Sequence, residues 1–97
     1  MTSKKEAYIA MMEAELKEWD AKIAQVKAKA EMKAAEAQSE FGDQLDELIE
    51  KQAEARSKLQ ELKKAGDNAW ERLQGGVENA WDSMREAVSK TADRLRH

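Results

Sequence analysis

Large apolar residues in the first part of the chain fall at Ile9, Met12, Leu16, Trp19, Ile23, Val26 and Ala30, in steps of three and four, with charged residues between them. That is the seven-residue rhythm of a helix packing along one seam. From Ile23 the stripe runs through Val26, Ala30, Ala34, Ala37, Phe41 and Leu45, where two eleven-residue units replace heptads. Heptad steps return through Leu45, Leu48, Gln52, Ala55, Leu59 and Leu62. Eleven residues make three turns of about 3.67 residues, so the middle of this helix is expected to be nearly untwisted. Its alanines would let a neighbouring backbone come close.

The last third repeats an eleven-residue unit. Ala69-Trp70-Glu71-Arg72-Leu73 opens one copy, Ala80-Trp81-Asp82-Ser83-Met84 the next, and Thr91-Ala92-Asp93-Arg94-Leu95 a truncated third. Trp70, Leu73, Val77, Trp81, Met84 and Val88 form its apolar stripe. Ala69, Ala80 and Ala87 border that stripe on one side, and Glu71, Glu78, Asp82, Glu86 and Asp93 on the other.

Punctuation divides the two parts. Ser3 with Glu6 suits a helix start near Lys4. Lys63-Lys64 suits a helix end, Gly66 the left-handed residue beyond it, and Asn68 with Glu71 a cap for the last helix. Leu59 and Trp70 are eleven residues apart, so an unbroken helix would keep phase here too. Ser39-Glu40-Phe41-Gly42-Asp43 is a weaker break, because Phe41 and Leu45 stay in phase across it. Gly42 reads as a tolerated glycine costing about 1 kcal/mol relative to alanine. Gly75-Gly76 reads as a flexible point inside the last helix. The expected architecture is all-α and elongated: a long coiled-coil helix over 1–65, a turn at 66–68, and an amphipathic helix over 69–97, assembled as a helical hairpin or bundle.

Composition sharpens this picture. The 97 residues include no Pro, no Cys and four Gly, and 38% are charged, which suits long helices. With three Trp, one Phe and one Tyr there is little material for a thick core. Burial is therefore expected in a narrow seam shared between chains: Leu16, Trp19, Ile23, Ala30, Ala34, Ala37, Phe41, Leu45, Leu48, Leu59 and Leu62, joined by Trp70, Leu73, Val77, Trp81, Met84 and Val88. The expected partner is a second copy of the chain.

Charge favours antiparallel neighbours. One polar stripe runs Lys22, Gln25, Lys29, Lys33, Glu36, Glu40, Asp43, Glu47, Glu50 and Glu54, basic in its first half and acidic in its second. Antiparallel helices crossing near Glu36 would set Lys22 near Glu50, Lys29 near Asp43 and Lys33 near Glu40. They could come from two chains or from one chain folded at Gly42. A parallel dimer would oppose Glu15 to Asp20 and Lys22 to Lys27, both like-charged.

Several chemistries fit poorly. The formal net charge of −3 and the interleaving of Lys and Arg with acids do not suit phosphate neutralisation, so no nucleic-acid partner is expected. The six carboxylates from Glu36 to Glu54 do not converge, and no His stands among them, so neither a metal nor another cofactor is expected. His97 is the only His and the last residue, and no Ser or Thr has an activating partner at recognisable spacing. Neither an enzyme nor a small-molecule substrate is expected. No run reaches the roughly 20 apolar residues of a membrane span, and residues 1–5 do not lead into a signal peptide, so the expected location is the cytoplasm.

The run Ala7-Tyr8-Ile9-Ala10-Met11-Met12-Glu13-Ala14-Glu15-Leu16-Lys17-Glu18-Trp19-Asp20-Ala21-Lys22-Ile23, with Gly66-Asp67-Asn68-Ala69-Trp70-Glu71 and Ala80-Trp81, resembles a family of small, mostly uncharacterised bacterial coiled-coil proteins. The resemblance implies a bacterial accessory protein, stress-associated in some relatives, with no catalytic residues. The C-terminal units are also similar to apolipoprotein-like amphipathic helices. The functional expectation is a non-enzymatic, homo-oligomeric structural or stress-related assembly. The alternative is a reversible membrane-surface or protective amphipathic-helix protein.

Overall fold

A computed structural model describes residues 3–32 and 35–96; of residues 35–38, 40 and 94–96 only the backbone is described. Three helices account for the described chain: α1 (Lys4–Glu31), α2 (Ala35–Lys64) and α3 (Trp70–Arg96). Glu13 on α1 meets Lys63 on α2, and Lys51 on α2 meets Ser83 on α3, so each helix runs antiparallel to the next. Tyr8 and Trp19 on α1 meet Trp70 and Trp81 on α3, so those two helices are parallel. The result is an up-down-up bundle measuring 51 × 22 × 18 Å.

The single long helix expected over 1–65 is therefore two helices. Uninterrupted, it would be roughly 90 Å long at about 1.5 Å per residue, well beyond the 51 Å of the bundle. The chain reverses between Glu31 and Ala35, where the seam consists of alanines and offers the least apolar area. Folding back there lets α1 cover α2 and α3 at the small entropic cost of closing a short connection. Ala34, and the side chain of Ala37, lie outside the described residues.

The helix ends follow local chemistry. Ser3 caps α1, its hydroxyl accepting from the Glu6 backbone N–H at 3.1 Å. At the second reversal Gly66 does not take the expected left-handed conformation, since no glycine has positive φ. The Gly66 carbonyl accepts from the N–H groups of Ala69 and Trp70 at 2.9 and 3.2 Å, so this turn is closed by backbone rather than by an Asn68 side chain. Lys5 Nζ donates to the Ala65 carbonyl at 2.6 Å and ties the start of α1 to this corner.

Gly42, Gly75 and Gly76 lie inside helices, and a Cβ added at any of them would meet nothing within 4 Å. Helix propensity then decides: Gly75→Ala and Gly76→Ala should each stabilise the fold by about 0.5–1 kcal/mol. Thermal unfolding followed by circular dichroism checks this. A lowered midpoint in either variant would mean that the glycines are required by the packing of α3.

Candidate functional site

The feature that uses most of the informative residues is the set of seams between the helices. Leu16, Trp19, Ala30, Phe41, Leu48, Leu59, Leu62, Trp70, Val77, Trp81 and Met84 are buried. Ile23, Leu45, Leu73 and Val88 are partly buried and pack against the same core. Within the described residues, the stripe expected to join separate chains is brought together inside one chain.

Its centre is aromatic. Trp19 and Trp81 lie with ring centroids 5.3 Å apart and planes tilted by 51°, and Tyr8 and Trp70 are 5.9 Å apart at 44°. Tilted pairs at this separation place the positive edge of one ring near the negative face of the other. Tyr8 and Trp19 are eleven residues apart, as are Trp70 and Trp81. Two parallel helices thus meet twice, three turns apart, through matching spacings.

Along α3, burial has a different period from the eleven-residue unit. Trp70, Val77, Met84 and Thr91 are buried at seven-residue intervals, with Trp81 and Ala87 beside them, whereas Ala92 is only half-buried. Packing against two neighbours favours the 3.5-residue repeat of a bundle over the 3.67 of a straight helix. Thr91 tolerates this position because its hydroxyl donates to the Ala87 carbonyl at 2.9 Å.

Polar groups stitch the seams at several levels. Gln52, which is buried, donates from Nε2 to the Asp20 carboxylate and to the Leu16 carbonyl, the latter at 3.4 Å. Arg56 reaches Asp20 at 3.4 Å and Lys63 reaches Glu13 at 2.8 Å, both between α1 and α2. Arg85 on α3 donates to both oxygens of Glu15 on α1, at 3.0 and 3.2 Å, and to Asp82 one turn back at 3.2 Å. Lys51 donates to Ser83 Oγ at 3.0 Å. These ion pairs are largely solvent-facing, so each contributes less than about 1 kcal/mol and acts mainly on register.

Among the described residues, two buried polar atoms, the Tyr8 hydroxyl and Trp81 Nε1, have no hydrogen-bond partner. Burial pushes the Tyr8 phenol above its ordinary value of 10.0; Glu78 and Glu15 add to the rise and Arg85 opposes it. Among the described residues, grooves run between the helices, such as the one between α2 and α3 lined by Lys51, Glu54, Lys58, Gly76, Asn79 and Ser83. Among the described residues no group of His, Cys, Asp and Glu is placed to hold a metal ion. No helix among them is long and apolar enough to cross a membrane.

The sequence pattern starts the first seam at Ile9, whereas Tyr8 is the buried residue there and Ile9 only packs at its edge. The equal spacings Tyr8–Trp19 and Trp70–Trp81 were the available signal for Tyr8. Ala87, read as a flank, and Thr91 join the core because of the seven-residue drift of α3.

Neither a family model, nor a curated protein, nor a solved structure matches the chain.

Tyr8 supports a prediction with a definite sign. The folded state holds the phenolic proton more tightly than the unfolded chain. Its contribution is therefore fully present below pH 10 and is lost as pH rises through the higher folded-state value. Tyr8→Phe should equal or exceed the wild type in stability at neutral pH, because it removes a buried unpaired hydroxyl worth about 1–3 kcal/mol. It should also lose less stability above pH 10. Urea titrations at pH 8 and above pH 10 measure both effects. A large loss for Tyr8→Phe at pH 8 would show that the hydroxyl is hydrogen-bonded.

Proposed function

We propose that the protein is a non-enzymatic helical assembly module, cytoplasmic and self-associating, whose role is structural or stress-related. The bacterial coiled-coil proteins that the Leu16-Lys17-Glu18-Trp19-Asp20 and Ala-Trp segments resemble suggest the stress connection. The observation that carries self-association is the apolar surface left over after the bundle has closed. Met32 is 87% exposed, Met11 54% and Ile49 48%. Met11, Ala7, Ala14, Ala21 and Ala28 are exposed along α1, and Met32 is exposed just past its end. α1 is thus apolar toward the core and also away from it, which suits a helix with neighbours on both sides. In this reading the interhelical ion pairs set register, and the functional surface is the outside of the bundle.

A membrane-surface role is the second reading, favoured by a specific feature of α3. Its apolar and polar faces are sharply separated, and the indole N–H of Trp81 is buried without a partner. An interfacial helix would give that N–H a polar partner at the headgroup level. The acidic border Glu71, Glu78, Asp82 and Glu86 weighs against anionic lipid.

Static light scattering from low micromolar to near-millimolar concentration tests the assembly reading. The expected result is a mass that rises to at least twice that of one chain, and that falls back in a Met11→Lys/Met32→Lys variant of unchanged helicity. The mass of a single chain at every concentration would overturn it.

A further inference from the structure

The two reversals of the chain differ in kind. The second, Ala65-Gly66-Asp67-Asn68-Ala69, is made of residues that stop helices and turn chains. The first lies within Ala28-Lys29-Ala30-Glu31-Met32-Lys33-Ala34-Ala35-Glu36-Ala37, which contains no Gly, Pro, Ser, Thr, Asn or Asp and consists of strong helix formers. Local sequence there favours one continuous helix, and tertiary packing supplies the reversal.

Phase points the same way. Val26 and Ala30 are buried before the reversal and Phe41 and Leu48 after it, and the steps between them through Ala34 and Ala37 keep all of these on one helical stripe. A hairpin imposes no phase relation across its turn. A straight helix requires one.

The contacts between α1 and α2 are of a kind that two chains can share. Leu16 and Gln52 are bonded, a pair centred on residue 34. Glu13–Lys63 and Asp20–Arg56 are both centred on residue 38. Contacts centred on one short segment are reproduced when two straight copies lie antiparallel and cross at that segment.

We propose that the bundle exchanges α1 with a second copy. α1 and α2 become one helix from about Lys4 to Lys64, and two such helices lie antiparallel. Each α1 then packs on the other copy's α2 and α3, so that Trp19–Trp81, Tyr8–Trp70 and Glu15–Arg85 form between chains. The α1–α2 and α1–α3 side-chain contacts described above are kept, and the strong helix formers of 28–37 allow one continuous helix, which is the low-cost condition for domain swapping. Dilution favours the closed monomer and concentration the exchanged dimer. The inference rests on the proposal that the chain self-associates, but through the helix seams rather than through the outer face of α1.

The absence of native cysteine makes the test direct. Single variants Glu13→Cys and Lys63→Cys are mixed at near-millimolar concentration, warmed to allow exchange, diluted and treated with a short bis-maleimide. The expected product is a covalent hetero-pair that neither variant gives alone, since like positions lie at opposite ends of the exchanged dimer. Adding Lys33→Pro to both variants should reduce that product by roughly tenfold or more, because a proline there interrupts a continuous helix; circular dichroism confirms that the chain still folds. If light scattering finds dimers and no hetero-pair forms, the exchange is overturned and self-association stands. If only monomers are found, both fall. A hetero-pair unaffected by Lys33→Pro would contradict the fused helix.

Discussion

The stacking of α1 on α3 through Trp19–Trp81 and Tyr8–Trp70 is the constraint that turns two antiparallel helix pairings, α1 with α2 and α2 with α3, into a closed bundle. α2 and α3 would form an antiparallel hairpin from their own connection at Gly66, but such a hairpin leaves Trp81 and Trp70 open on one side. α1 closes that side by presenting two aromatic rings at the spacing of the two tryptophans. Large rings bury much area from few residues, which a chain with five aromatic side chains requires. Gln52 and the pairs Glu13–Lys63 and Glu15–Arg85 then fix how far α1 slides along its neighbours. Their weak individual energies suffice for that, since register needs discrimination between neighbouring alignments rather than bulk stability.

This economy explains why an Ala-rich segment can serve as a reversal. Over 28–37 the residues favour helix but carry mostly alanine side chains with little apolar area to offer, so the gain from continuing the helix is small compared with the gain from bringing Leu16 and Trp19 back over Leu48, Leu59 and Trp81. Packing overrides local preference there. At Gly66 the two agree, with turn residues standing where the chain turns.

The same contrast decides what was legible in the sequence. Apolar spacing identifies the helical class and nearly all of the buried set, because period and phase survive whatever the chain direction. Trp19, Leu48, Leu59, Val77, Trp81 and Met84 are core whether the seam closes within one chain or between two. The reversal after Glu31 was not legible, since no residue there signals a stop and the stripe keeps its phase across it. Nor was the period of burial in α3: Trp70, Leu73, Val77, Trp81 and Met84 fit both seven- and eleven-residue repeats, and only the packing that buries Thr91 rather than Ala92 separates them. The charge pairing expected from the halves of the Lys22–Glu54 stripe is not the one that forms among the described residues: the ion pairs between α1 and α2 are Glu13–Lys63 and Asp20–Arg56, with the acid on α1 and the base on α2.

The tryptophans are enclosed by the chain's own helices, and tryptophan emission of the pure protein at low micromolar concentration tests that claim most directly. A closed bundle predicts blue-shifted emission in buffer that does not change when anionic vesicles are added, because Trp19, Trp70 and Trp81 are all buried in it. Red emission that shifts to the blue only with vesicles would contradict it, showing that the seams stay open until lipid covers them.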